Sequence, residues 1–358
     1  MKTLFPLLVA AALLGTAACS KPESHHPGRA DDLPEGVISF SLSPDEGQVS
    51  LTRAATAYTT AQPYETRVNK VQVFVFNADG RLAAYKDNGT SLTGTVATTA
   101  GEKTVWAVVN GPDLSSVTTL QGLRESAVDL SANLTDPAAG FVMSGSGTCT
   151  VTGTGESGCD FHVSRLAARV ALVGVENRLP ASYGSLRVER VFLCNVVGNQ
   201  NVAGDAAPAT WYNQDGRKDE SPRSASHIID GSTYRASCES LTYRSVGESV
   251  ANGGSHAPST PYLFYAYPND SAVTPDGFSN PFSPKRTLLT VAATVGGVLQ
   301  YYPVVLSSGL ERNCTYSVAL TITGPGSDDP GRPVTKGSVS VTVAVDGWTS
   351  GAVYDETI

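Results

Sequence analysis

YSVALTI at residues 316–322 and SVSVTVAV at residues 338–345 are the stretches on which the fold reading turns. In the first, Tyr316, Val318, Leu320 and Ile322 alternate with Ser317, Ala319 and Thr321. In the second, Val339, Val341, Val343 and Val345 alternate with Ser338, Ser340, Thr342 and Ala344. Successive side chains of a strand point to opposite faces, so a period of two marks a strand with one buried face. Between the runs, Gly324, Pro325, Gly326, Asp328, Asp329 and Pro330 supply the residues that tight turns require. Two such strands predict sheet packed on sheet, a β-sandwich with Greek-key crossings.

The same signals recur towards the N-terminus. Ile38, Phe40 and Leu42 alternate with Ser39, Ser41 and Ser43, which predicts another half-buried strand. VQVFVF at residues 71–76 is apolar nearly throughout and reads as a strand covered on both faces. Residues 105–109 form a similar run, closed by Asn110-Gly111-Pro112. The second half opens with residues 161–175, a strand pair is expected over residues 186–197, residues 261–267 are aromatic-rich, and a hairpin over 288–306 turns at Gly296-Gly297. Leu120, Leu123, Ala127, Leu130 and Leu134 recur at three- and four-residue steps and predict one helix over residues 120–134. Residues 198–260 are polar and irregular and read as surface loops. With 16% charged residues, 35 glycines and 21 prolines in 358, the composition suits short strands and tight turns. The expected class is all-β, two β-sandwich domains with a short helix in the first. A boundary after the Gly/Ser/Thr-rich stretch 144–158 divides them into residues 54–160 and 161–358.

The N-terminus predicts the compartment. Lys2, the apolar run 4–15 and Thr16-Ala17-Ala18-Cys19 read as a lipoprotein signal peptide over residues 1–18. The run is shorter than the about 20 apolar residues a spanning helix needs. Acylation of Cys19 would anchor the precursor at the outer membrane without spanning it. Residues 20–35 read as a tether, and His25-His26 within it as solvated side chains rather than a metal site. A net charge of −8 excludes a nucleic-acid partner, which needs a basic face.

No catalytic or cofactor constellation emerges. Gly153-Thr154-Gly155-Glu156-Ser157-Gly158 spells a dinucleotide fingerprint, but Phe161-His162-Val163 continues it as strand, not helix, so it reads as a turn. There is no nucleophile elbow, zinc-protease motif or P-loop. Five cysteines follow Cys19, none in a CxxC pair. Cys149 and Cys159 flank a turn-rich segment and are placed to face each other across a hairpin, a candidate disulfide in an oxidising compartment.

Three segments carry a resemblance. Glu311-Arg312-Asn313 leads through Tyr316 into Leu320-Thr321-Ile322-Thr323-Gly324-Pro325-Gly326 and on through Trp348. Arg165-Leu166-Ala167-Ala168-Arg169-Val170 is preceded by Gly140-Phe141-Val142-Met143, and Leu51-Thr52-Arg53-Ala54-Ala55 stands alone. Together they resemble the major fimbrial subunit (fimbrillin) family of Bacteroidetes: its penultimate strand and turn, the crossing between its domains, and its arginine-specific processing site. The resemblance implies transthyretin-like domains, cleavage between Arg53 and Ala54, and polymerisation with copies of itself and related subunits, with no enzymatic activity. Residues 19–53 would then be a tether and removable strand, leaving pockets vacated by Ile38, Phe40 and Leu42. The expected donor is residues 338–358, through Val339, Val341, Val343, Val345 and Trp348. The alternatives are a fimbrial tip or anchor subunit, and a surface glycan-binding lipoprotein stacking sugars on Trp106 and Trp211.

Overall fold

Alternating hydrophobicity in the first half becomes β1 (Glu35–Pro44), β2 (Val71–Asn77), β3 (Leu82–Asp87), β4 (Thr93–Thr99) and β5 (Gly101–Val109). Helix α1 (Leu120–Arg124), β6 (Ala127–Asp129), β7 (Met143–Val151) and β8 (Glu156–Arg165) follow. The structure is a computed structural model and describes residues 33–45, 58, 60–133, 140–213, 233–235, 239–270, 286–306, 309–331, 334 and 337–348. Cys19, Arg53, Ala54, Cys238 and residues 349–358 lie outside the described residues.

Seven of these strands form one sheet in the order β3-β2-β5-β7-β8-β1-β4. Its two ends approach each other, with the Lys86 ammonium of β3 donating to the Thr95 carbonyl of β4 at 2.8 Å. The sheet thus rolls around a core of Ile38, Phe40, Val73, Val75, Val105 and Phe161. VQVFVF is covered on both faces, as its unbroken apolar run implied. Val73 and Val75 point into that core, while Phe74 and Phe76 point into the second.

The second half begins with β9 (Ala168–Asn177), β10 (Leu186–Cys194), β11 (Val196–Val197), β12 (Asn199–Asn201), β13 (Thr210–Tyr212) and β14 (Thr233–Arg235). It continues with α2 (Glu239–Thr242), β15 (Tyr243–Val250), β16 (Ser255–His256), β17 (Tyr262–Ala266), β18 (Leu288–Val295), β19 (Val298–Val305), β20 (Cys314–Ile322) and β21 (Val339–Gly347). A sheet ordered β15-β10-β18-β19 faces another ordered β16-β9-β20-β21, with β17 also paired to β9. Inward residues of both, such as Val191, Val291, Val170 and Val318, share the larger core with Phe74 and Phe76. Two β-rich domains therefore meet across a common apolar layer. β6 adds a direct backbone link by pairing with β12, Val128 opposite Gln200.

Two expectations are corrected. The helix predicted over residues 120–134 stops at Arg124, capped at its start by the Thr119 hydroxyl accepting from the Gly122 amide. Pairing with β12 draws residues 127–129 into a strand, and the Asp129 side chain then caps a short 3₁₀ turn at Leu130–Ala132. Tertiary pairing has overridden a helical period. The stretch 198–260 is not all loop. Its polar β15 pairs with β10 along most of its length, and the solvated outer face hides it from a hydrophobicity reading. The 153–158 glycine motif is a turn into β8, as expected.

Glycines decide how closely β7 and β8 approach. A Cβ on Gly145 would lie 1.9 Å from the His162 carbonyl oxygen, whereas one on Gly158 would meet nothing within 4 Å. Gly145→Ala is expected to destabilise the protein by at least about 1–3 kcal/mol, the range for overpacking. Gly158→Ala should stay within about 0.5 kcal/mol of the parent. Equal melting temperatures for the two variants would refute this account of the close approach.

Candidate functional site

β1 lies in the interior of its sheet although it comes first in the chain. It runs antiparallel to β4, from Glu35 opposite Thr99 to Ser41 opposite Thr93, and parallel to β8, from Val37 opposite Glu156 to Pro44 opposite Val163. Ile38, Phe40 and Leu42 are 0%, 3% and 4% exposed. Gly94 stands opposite Phe40, and a Cβ there would come within 2.9 Å of the ring, so glycine makes room for the aromatic. On the outer side, the Ser41 amide donates to Asp160 at 2.9 Å and the Ser43 hydroxyl meets the His162 ring at 2.9 Å. Every buried backbone group of such a strand is paired on both edges, so its loss would leave two rows of unpaired donors and acceptors.

β21 lies at the opposite extreme of pairing. It is the edge strand of its sheet, hydrogen-bonded to β20 from Val339 opposite Ile322 to Gly347 opposite Cys314. Val341 and Val343 face the core, with Val339 and Val345 half-buried on the same side. Trp348 follows and is wholly buried. Its ring stacks on Tyr265 at 5.5 Å between centroids and meets Phe141 edge-on at 5.2 Å. The guanidinium carbons of Arg165 and Arg169 lie 4.8 and 5.6 Å from the indole centroid. The indole Nε1 finds no acceptor among the described residues, which offsets part of the packing gain.

Beneath Trp348 is a buried polar cluster. The Glu65 carboxylate accepts from Arg169 Nη1 at 2.9 Å and from the Tyr265 hydroxyl at 2.6 Å. Arg169 also donates to the Thr315 hydroxyl and to the Tyr58 and Thr60 carbonyls. Arg165 donates twice to the Glu65 carbonyl and once to Asn313. Burial pushes the Tyr265 phenol well above its ordinary pKa, and Glu65 pushes it further. Burial lowers Arg165 to about 10, against the opposing pull of Glu65. Nearby, Arg312 clasps the carbonyls of Arg165, Ala203, Ser144 and Ser164, joining β7, β8 and the loop after β12.

Residues 37–172 match the family model of the major fimbrial subunit protein, FimA. The fold is shared with a fimbrilin of Porphyromonas gingivalis at 15% identity and a TM-score of 0.60, over 89% of this chain and 98% of that one. It is also shared with a candidate cell-adhesion protein of Bacteroides eggerthii, at 20% identity and a TM-score of 0.65, over 90% and 98% of the two chains. The tip fimbrial protein Mfa3 of Porphyromonas gingivalis, crystallised with a C-terminal truncation, aligns at 15% identity and a TM-score of 0.52 over 88% and 100%. Over residues 37–172 the chain is thus similar to the FimA major fimbrial subunits.

The residues singled out in the sequence fall into two places. Ile38, Phe40 and Leu42 lie together in the first core, and the β21 valines and Trp348 lie in the second. The Cys149 and Cys159 sulfur atoms are within hydrogen-bonding reach of each other, and burial pushes the Cys159 thiol up to about 12. Trp211 is wholly buried and Trp106 partly so, which removes the paired stacking surface a glycan reader would need. The described residues include no cluster of metal-ligating side chains and no helix long and apolar enough to cross a membrane.

Sequence reasoning missed Glu65 and the pairing roles of Arg165 and Arg169. The available signal was two arginines within an apolar run, since a charge buried among apolar neighbours requires a partner. Glu65→Ala would leave Arg169 buried without its carboxylate and is expected to cost about 3–5 kcal/mol. Chemical denaturation checks this value. A loss below about 1 kcal/mol, the range of an exposed pair, would refute it.

Proposed function

We propose that this chain is a fimbrial stalk subunit, exported as a lipoprotein, trimmed between Arg53 and Ala54, and polymerised by donor-strand exchange. In this reading residues 54–160 and 161–358 are its two domains, and residues 338–358 donate a strand to the groove that β1 vacates. The position of β1 carries the reading. It fills the interior of a sheet, yet its covalent connection to the remaining strands runs through the segment that contains Arg53.

Burial of Ile38, Phe40 and Leu42 contributes roughly 1.5–3 kcal/mol each. While the chain is intact, that energy acts at the high effective concentration of a tethered segment. Cleavage converts β1 into a separate ligand that diffuses away at low concentration. A donor with the same apolar alternation can then restore both the pockets and the backbone pairing. β21 has that alternation, and as an edge strand it loses one ladder of hydrogen bonds when it leaves. Withdrawal of Trp348 leaves the Glu65–Arg169 pair in place, because neither residue belongs to β21. The exchange therefore breaks no ion pair.

Electron microscopy of the purified precursor, before and after an arginine-specific protease, tests the trimming step. Fibres are expected only after cleavage, with Ala54 as their first residue on N-terminal sequencing. Fibres from uncut precursor, or a mature N-terminus at acylated Cys19, would instead fit an anchor subunit. Val341 and Val343 support their own domain, so donor release is better tested by locking than by deleting. Thr321→Cys with Ser340→Cys, a directly opposed pair of β20 and β21, should form a disulfide that blocks polymerisation until a reductant is added. Normal polymerisation of the locked protein would exclude β21 as donor.

Cys19→Ser is expected to abolish labelling by a fatty-acid analogue, and unchanged labelling would exclude Cys19 as the acylation site.

A further inference from the structure

β8 is held to β7 by very little backbone pairing. Their ladder comprises Met143 opposite Arg165 and Ser144 opposite Ser164, and it ends there. The strands nevertheless continue side by side. Gly145 approaches the His162 carbonyl, and Gly147 lies against the Phe161 ring, where a Cβ would come within 2.9 Å. Gly145 also lies against the Val163 Cα, so the pairs 143–165, 144–164, 145–163 and 147–161 keep one antiparallel register. Carried two residues past the Gly147–Phe161 contact, the same register sets Cys149 opposite Cys159.

Each thiol is placed differently with respect to solvent. Cys159 is 4% exposed and lies in the core that Ile38 and Phe40 complete, with Phe40 as its register partner on β1. Cys149 is half-buried against the same core and also lines a surface concavity with Lys103, Thr148 and Thr150. The Lys103 ammonium beside it is occupied by Asn77, Thr99 and the Ala100 carbonyl. The two sulfur atoms are within hydrogen-bonding reach of each other. Directly opposed residues on antiparallel strands have Cα atoms about 4.5–5.5 Å apart, within the span of a disulfide.

We infer that Cys149 and Cys159 are joined by a disulfide in the exported protein, and that this bond braces β8 against β7. The oxidant is a small-molecule or protein disulfide. The Cys149 thiolate, reached from the concavity, attacks one sulfur of that disulfide and expels the other as a thiolate. The Cys159 thiolate then attacks the Cys149 sulfur of the mixed disulfide and expels the second thiolate. The chain loses two electrons and two protons, and the oxidant gains them as two thiols. Burial raises the pKa of both cysteines and keeps the thiolate fraction low, so the bond forms slowly in the folded chain and faster while β1 is not yet docked.

The brace lies where the ladder is missing. With β1 in place, β8 is hydrogen-bonded along its length to β1. Without β1, two ladder pairs to β7 remain, and the bond supplies the constraint that the absent hydrogen bonds do not. This consequence rests on the proposed vacating of the groove, whereas the bond itself does not.

Peptide mapping of the full chain, secreted into an oxidising compartment and alkylated under denaturing conditions without reductant, tests the bond. A linked pair of peptides containing Cys149 and Cys159, lost on reduction, is expected. Full alkylation of both residues, or linkage of either to Cys194, Cys238 or Cys314, overturns the inference. Capture of a synthetic peptide spanning residues 338–348 by protease-trimmed protein tests the brace. Loss of capture on mild reduction is expected, and equal capture in both redox states overturns the bracing role. Absence of capture in either state defeats the groove reading and leaves the mapped bond standing.

Discussion

A strand in the interior of a sheet must satisfy its backbone on both edges, and β1 meets that requirement from the far end of the connection that contains Arg53. β4 and β8 have no other neighbour on the sides that β1 occupies. The first core likewise has no other source for the volume of Ile38, Phe40 and Leu42. The geometry of the first domain is therefore conditional on one segment that the rest of the sheet surrounds but does not connect to covalently except through residues 46–57. Pilin assembly by strand exchange needs this combination of high local dependence and separability.

The second domain handles the opposite problem. Its final strand is an edge, and edges tend to fray or pair with other chains. Here the strand is closed by a large aromatic, Trp348, packed between Tyr265, Phe141 and two guanidinium groups. Cation–π and stacking contacts hold the ring without any hydrogen bond from its indole nitrogen. Below it, Arg169 is paired with the Glu65 carboxylate and Arg165 is held by the Glu65 carbonyl and Asn313, so the closure is made mostly of non-directional packing. Packing of this kind can be released without leaving an ion unpaired, whereas a salt bridge to β21 could not.

Much of this was legible beforehand. Period-two alternation located β1, β20 and β21, and an unbroken apolar run marked β2 as covered on both faces. The glycine pair at 296–297 marked the β18–β19 hairpin. The misreadings share one cause. Leu120 to Leu134 carries a helical period, but Val128 was claimed by a strand contributed from the second domain. β15 carries mostly polar residues because one face is solvated, so its assignment depends on β10 beside it. Glu65 sits in a segment with no periodicity, and nothing local distinguishes it from a solvated glutamate.

By itself the sequence determined that β1, β2, β20 and β21 are strands and which of their faces are apolar. Those properties are local, set by the pleat and by side-chain chemistry within a few residues. Only the tertiary structure decided the order of the strands within their sheets. It placed β1 between β4 and β8, left β21 at an edge, and buried Arg165 and Arg169 around Glu65. These are relations between residues far apart in the chain. Non-local pairing is selected by which surfaces fit once the strands collapse together, and no window of the sequence contains both partners.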